Sequence, residues 1–423
     1  MTKKIPHLLL SLFVLLAIGI AGIAQQSATE APAGFDTPTF TPAQSVSNGI
    51  TEPTGDTFAL DQQIFEQRKD IHAGLGPVFN ATSCVDCHQN PVSGGPSQIT
   101  EMRVGHKDAD GNFVNPTVLI DDGQNTISGR SIVNDRAICP QAQEHVPATE
   151  TIRTLRAVNN TLGEGFVEAI DDNTLIAIAN QQPGLSDGKI QGEAVQVALF
   201  ESPGQTRVGR FGWKDQHGSL LSFIADAYLN EMGITSRLRP HDTTTVCKTT
   251  TDPEDQPDSL GLADIDHFAQ FVRGTKVPPR DAALAATHDA QKGQHLFEGI
   301  QCSTCHVESI TTAPAGTVVD GGTFTIPEAL GNKVIHPFGD FLLHDVGTGD
   351  GIVQGGPPDT ANKLRTSPLW GLRTKSRYMH DLKSLTLENA IQRHRGEARD
   401  ASERFRKLTP NEQQQLIAFL NSL

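Results

Sequence analysis

Cys84-Val85-Asp86-Cys87-His88 and Cys302-Ser303-Thr304-Cys305-His306 repeat one pattern, two thiols separated by two residues and followed at once by a histidine. This is the spacing at which two cysteines add to the two vinyl groups of one porphyrin while the adjacent histidine binds the iron. With six cysteines and fifteen histidines in 423 residues, chance would give one such match with a probability of roughly 0.003 per chain, and two far more rarely. A zinc site of paired Cys-x-x-Cys halves is the rival reading. It normally draws its halves from closer in sequence and needs no histidine after each pair. The motifs therefore predict two covalently bound c-type haems, held by Cys84, Cys87, Cys302 and Cys305, with His88 and His306 as proximal iron ligands.

The N-terminus indicates the compartment. Lys3 and Lys4 precede an apolar run from Leu8 to Ile20, and Ala21-Gly22-Ile23-Ala24 offers small residues for cleavage after Ala24, the pattern of a secretory signal. The run is short for a membrane span, and no later stretch approaches that length. The reading is of an exported periplasmic protein with no span after signal removal. A formal charge of −15 argues against nucleic acid as a partner and suits steering towards a basic patch on a small electron-transfer protein. Cys139 and Cys247 lie outside the motifs. They are free to pair in an oxidising compartment, which sequence alone does not decide.

Residues 1–24 are thus expected to be a signal peptide, 25–58 a linker or surface arm rich in Thr, Pro, Ser and Gly, 59–286 an N-terminal haem domain with insertions, and 287–423 a C-terminal cytochrome c-like haem domain. Helical patterns occur at Asp172–Asn180, Leu220–Met232 and Asp264–Val272, and a helix through Gly293, Leu296 and Phe297 leads into Cys302. The last helix has Thr409 as cap, Pro410 in the first turn and Glu412 three residues after the cap, a complete capping box. Leu416, Ile417, Leu420 and Leu423 form its apolar stripe. Little of the chain alternates like a strand, and residues 107–150 read as loops with a short hairpin. The expected fold is mainly α, two cytochrome c-like haem domains with long loop insertions.

Function depends on the side of each iron opposite the proximal histidine, because a second strong ligand closes the haem and an open position admits peroxide. Apart from Met1, only Met102, Met232 and Met379 are present, so histidines are the stronger candidates. After Thr386, the residues Leu387, Ala390, Ile391 and His394 share a helical face. His394 is the candidate for the second haem, with Met379 and His380 as alternatives and a core histidine as the plain reading.

The segment Tyr378-Met379-His380-Asp381, followed by Thr386-Leu387-Glu388-Asn389-Ala390-Ile391, resembles the C-terminal part of bacterial di-haem cytochrome c peroxidases and MauG-type enzymes. In those families the distal ligand lies eight residues beyond the threonine, the position of His394 here. They carry Met or Tyr there, so histidine is a departure that implies bis-His ligation. Gly94-Gly95 and Arg103-Val104-Gly105-His106 are similar to the peroxidase segment ending in a displaceable ligand. The resemblance implies that role for His106, against a solvated loop histidine. Phe211-Gly212-Trp213 and Asn230-Glu231-Met232 resemble the segment that holds an inter-haem tryptophan and a catalytic glutamate, which implies those roles for Trp213 and Glu231, with Phe223 where a glutamine is expected. The plain alternatives are a core aromatic and a solvated helix-end carboxylate.

Gly209-Arg210-Phe211-Gly212-Trp213-Lys214, Glu231-Met232-Gly233-Ile234-Thr235, Leu342-Leu343-His344-Asp345 and Pro368-Leu369-Trp370-Gly371-Leu372 together resemble the di-haem oxidoreductase family, whose members are described as peroxidases or "thiol oxidoreductases". The resemblance implies an enzyme that relays electrons from the C-terminal haem to a peroxide-binding N-terminal haem, supplied by a small periplasmic cytochrome or copper protein. A closed electron carrier and a MauG-like oxidase of a protein or organic substrate are the alternatives. Thr366-Ser367-Pro368 is similar to a calcium-binding segment of the peroxidases, which implies one calcium ion, while Asp345, Asp350 and neighbouring glycines equally suit a polar loop.

Overall fold

The computed structural model describes residues 27–423; the signal-peptide reading of residues 1–24 lies outside them. Helix accounts for 31% and strand for 15%, which corrects the expectation of a mainly α fold. Helices surround the two motifs, and the segments between them are tied by small sheets. Most strands have only two or three residues, too few for an alternation of period two to register in sequence. The principal sheet is built on Thr100–Lys107, which pairs antiparallel with Ile152–Ala157 over six residue pairs and also with Phe113–Val114 and Ile132–Val133. Its two faces differ: Met102 and Val104 pack against Val118 and Val133, while Glu101 and Arg103 project from the other side.

The helices with strong end signals form where the sequence places them. Leu220–Met232 is capped by Ser219 and ends on Gly233 in the left-handed region (φ 67°). Pro410–Leu420 has the reciprocal capping box, Thr409 N–H to Glu412 Oε2 at 2.8 Å and Glu412 N–H to Thr409 Oγ1 at 3.3 Å. This helix crosses His288–Gly299 at Gly293, where any Cβ would collide with the Gln415 carbonyl oxygen. Glycine there lets the backbones touch and brings Phe419 onto Phe297 (5.3 Å) and Phe338 (5.5 Å). That aromatic group, with Leu387, Leu416 and Leu420, is the core beside the second motif.

The larger core is continuous across the middle of the chain. Phe58, Phe65, Phe166, Phe211 and Phe271 pack in one cluster with Ile310, Ile335, Phe341 and Trp370. Residues 27–50 run along this mass: Thr29–Glu30 pairs in parallel with Lys333–Ile335, and the Asn48 amide donates to the Arg273 carbonyl at 2.7 Å. Cys139 and Cys247 are disulfide-bonded. Among the described residues no helix is long and apolar enough to cross a membrane.

Candidate haem sites and the bridge between them

Both motifs adopt the same backbone, a short 3-10 turn at Cys84–Asp86 and at Cys302–Thr304, closed by His88 N–H to the Cys84 carbonyl and His306 N–H to the Cys302 carbonyl, each 3.0 Å. The four cysteines are unpaired thiols. Burial pushes the Cys87 and Cys302 thiols up to about 12. Among the described residues the four sulfurs do not gather into one metal-sized group, as a zinc site of paired Cys-x-x-Cys halves would need.

A cavity of about 270 Å³ opens beside the second motif and is lined by Cys302, Cys305, His306 and His394 together. His306 Nδ1 donates to the Phe338 carbonyl at 2.9 Å, and His394 Nδ1 donates to the Ala390 carbonyl at 2.8 Å. Each ring thus spends one nitrogen on the backbone and presents Nε2, the arrangement that orients an imidazole as a metal ligand. Burial, with nearby His394 acting in the same direction, lowers the His306 pKa to about 4. Neutral rings with free Nε2 atoms, apolar walls from Phe297, Leu387 and Leu416, and the cations Arg365 and Lys375 at the lining fit a haem with two carboxylate tails. Burial brings Lys375 down to about 8, as expected of an ammonium without a partner. Met379 and His380 line the same cavity, but the His380 ring is engaged edge-on with Trp213, centroids 6.0 Å apart.

The first motif lies on the helix pair Phe58–Glu66 and Asp264–Gly274. Phe65 is 6.3 Å from the His88 ring, and Phe268 and Phe271 pack on Phe65. Burial lowers the His88 pKa to about 4, so its imidazole is neutral and available to iron. Glu231, at the end of Leu220–Met232, stands next to Cys87 and is second only to burial in raising that thiol's pKa. Its Oε2 accepts from the Asn80 amide at 2.8 Å, and its carboxyl is hydrogen-bonded to that of Glu101. Burial, then Glu101, raises the Glu231 pKa well above the carboxylate range. Glu101 goes the other way: burial opposes its ionisation, but the bidentate Arg103 guanidinium at 2.6 and 2.9 Å outweighs it. The site therefore holds one protonated and one ionised carboxyl, the division that acid–base chemistry requires.

The structure does not bring His106 to this group. His106 follows Arg103 by three residues on the same strand and so projects from the opposite face, where Nδ1 lies 2.9 Å from Glu150 Oε2. The motif reading followed sequence order and ignored the pleat. Glu101 and Arg103 were missed; the alternation of Glu101 and Arg103 with Met102 and Val104 was the available signal. Phe223 packs against Phe211 and His217, at 6.0 and 5.7 Å between ring centroids.

Trp213 stands between the sites. It lines the second cavity, donates Nε1–H to the Ala157 carbonyl at 2.7 Å, and meets His380, whose carbonyl accepts from Ala157 N–H at 2.6 Å. Two residues further on, the Asn159 main chain lies beside His88. This bridge is fastened by a buried triad. Asp350 accepts from Arg156 Nε at 2.6 Å and lies 3.1 Å from Lys214 Nζ, all three side chains being at most 1% exposed. Lys214 Nζ also donates to the carbonyls of Thr360, Ala361 and Lys363 at 3.1, 2.8 and 2.7 Å. Asp350 is thereby committed to the chain's own cations.

Residues 148–423 match the family described as "Di-haem oxidoreductase, putative peroxidase". The chain belongs to the di-haem oxidoreductases. This di-haem oxidoreductase is an enzyme, and its family is of the peroxidase type. No curated protein matches it. Among solved structures, it is similar to hydrazine synthase of Kuenenia stuttgartiensis (13% identity, TM-score 0.40, covering 99% of this chain and 100% of that one). It is also similar to the diheme peroxidase BthA of Burkholderia thailandensis (14%, 0.40, 94% and 92%). A MauG-like protein associated with microbial copper homeostasis shares 19% identity at a TM-score of 0.29, over 62% of this chain and 89% of that one.

Proposed function

We propose that this di-haem oxidoreductase reduces peroxide in the periplasm, with two c-type haems in unequal roles. Cys84 and Cys87 hold one haem and Cys302 and Cys305 the other, with His88 and His306 as proximal ligands. His394 closes the second haem, which receives electrons from a small, basic-faced redox protein. Trp213 and the Ala157–Asn159 segment would offer the path between the two groups, and the side of the first site near Glu231 would be the one that takes substrate. When bound, the first haem supplies the electrons that cleave the peroxide O–O bond.

The observation that carries this reading is the Glu101–Glu231 carboxyl pair beside Cys87, with its proton held on Glu231. Reduction of hydrogen peroxide to two waters consumes two electrons and two protons. Glu231 is the acid placed to protonate the departing outer oxygen, and Glu101, kept ionised by Arg103, is the base that takes the proton from the inner oxygen. Asn80 fixes the Glu231 carboxyl through its amide.

The test is oxidation of the fully reduced holoprotein by hydrogen peroxide, followed by stopped-flow absorbance. Glu231→Gln should slow the peroxide-dependent step by about 10²–10⁴-fold while leaving both haem spectra in place. An unchanged rate would remove the acid–base role, and a wild-type protein inert to peroxide would remove the peroxidase reading.

A further inference from the structure

The helices Phe58–Glu66 and Asp264–Gly274, with the segment leading into the first of them, bury a group of acids around one imidazole that takes no part in the motif contacts described above. Asp61 Oδ1 is 2.6 Å from His267 Nδ1, and Asp56 Oδ2 is 3.6 Å from the same nitrogen. The side chains of Asp56 and Asp61 are 0% exposed and that of His267 1%. Three carboxylate oxygens of the group, Glu52 Oε1, Asp56 Oδ2 and Asp61 Oδ2, are buried with no hydrogen-bond partner. No lysine or arginine among the described residues pairs with them; His267 is their one basic neighbour. Burial, with the neighbouring acids, pushes the Asp61 carboxyl up to about 9 and that of Glu52 up to about 7, so without a cation these acids hold protons, which a coordinated ion would displace.

We propose that Asp56, Asp61 and His267, with Glu52 alongside, form a structural site for a divalent transition-metal ion of zinc type. The donor atoms of Asp56, Asp61 and His267 lie within 4.8 Å of one another, a span that one ion bonded at about 2.0–2.2 Å can bridge. Asp56 Oδ1 accepts from Thr57 N–H at 2.7 Å, which fixes that carboxylate and turns Oδ2 inward. On the far side of the ring, His267 Nε2 lies 3.4 Å from Asp258 Oδ2, the carboxylate partner that a metal-bound histidine characteristically has. An imidazole among the donors favours a first-row transition ion such as zinc; calcium takes six to eight oxygens and no imidazole. The ion would pin the two helices on which the first motif rests. Phe65, one turn beyond Asp61, packs against His88, and Phe268, next to His267, packs on Phe65 at 6.1 Å.

The test is elemental analysis of the full-length holoprotein after gel filtration in metal-free buffer. About one zinc per two irons is expected, falling at least tenfold in Asp61→Asn and in His267→Gln while iron is unchanged. If either variant fails to fold, two further measurements decide. Asp258→Asn should bind zinc about 10–100-fold more weakly in competition with a chromophoric chelator. Chelator-stripped wild type should regain several degrees of thermal midpoint when zinc chloride is added. Iron alone in the wild type, with no thermal response of the stripped protein to zinc, would overturn the proposal, as would calcium in place of zinc.

Discussion

Replacing Asp350 by asparagine tests whether the bridge between the sites is held by charge. Burial opposes ionisation of this carboxyl, yet Arg156 and Lys214 outweigh burial and hold it at about 2 against an ordinary 3.8. That shift alone corresponds to about 2.5 kcal/mol of stability. Because the folded pKa is depressed, the contribution is complete above the unfolded value and disappears as pH falls towards 2. The substitution does more than remove it, since two cations at most 1% exposed lose their shared anion. Breaking a buried pair on one side costs about 3–5 kcal/mol. The loss should depend on pH in a particular direction. Burial already brings Lys214 down to about 8, and without Asp350 it falls further. The folded variant then sheds that proton at lower pH than the unfolded chain does, and stability recovers as pH rises. Urea unfolding of the holoprotein, followed by Soret absorbance and near-ultraviolet circular dichroism at pH 6.5 and 9, should show Asp350→Asn less stable by about 3–5 kcal/mol at the lower pH and by visibly less at the higher. A cost under about 1 kcal/mol, or one that grows with pH, would refute the reasoning.

Trp213→Phe keeps an aromatic ring but removes the Nε1–H bond to Ala157 and the indole that faces His380. Electron transfer between the haems, measured by pulse radiolysis, should slow at least tenfold while both reduction potentials stay within a few tens of millivolts; an unchanged rate would exclude Trp213 from the path. Cys139→Ser opens a loop closed across 108 residues and should destabilise the protein by about 2–5 kcal/mol, seen in denaturant unfolding and absent when the wild type is compared under strong reductant. Phe419→Ala removes the ring shared by Phe297 and Phe338 and should cost about 3–5 kcal/mol, lost first from the second haem's Soret band on heating.

Sequence order exposed what depends on neighbours along the chain. Thr409 with Glu412 announced the last helix, and the two motifs announced their own turns, because capping and the i to i+4 bond are local. Helical spacing put His394 on the face of Leu387 and Ala390, at the cap of that helix, and the resemblance singled it out from a core histidine; it lines the cavity with His306. Interactions across long separations left no trace. Asp61 and His267 are 206 residues apart, and Arg156 and Asp350 are 194 apart; each pair is created by packing rather than by spacing. The strand Thr100–Lys107 was hidden for another reason. Its alternation is short, Glu101 and Arg103 against Met102 and Val104, and its polar face turns into the protein to meet Glu231 rather than out to solvent. Because that strand was not anticipated, His106 could not be seen to face away from Arg103.

The proposed function requires two unequal haems, the second closed by His306 and His394 and the first open beside Glu231. Electron paramagnetic resonance of the oxidised and half-reduced holoprotein, with and without cyanide, tests this most directly. One low-spin bis-His signal should ignore cyanide and be lost in His394→Ala, while the other haem binds cyanide in the wild type. Two haems that both resist cyanide, or a low-spin signal that survives His394→Ala, would contradict the account.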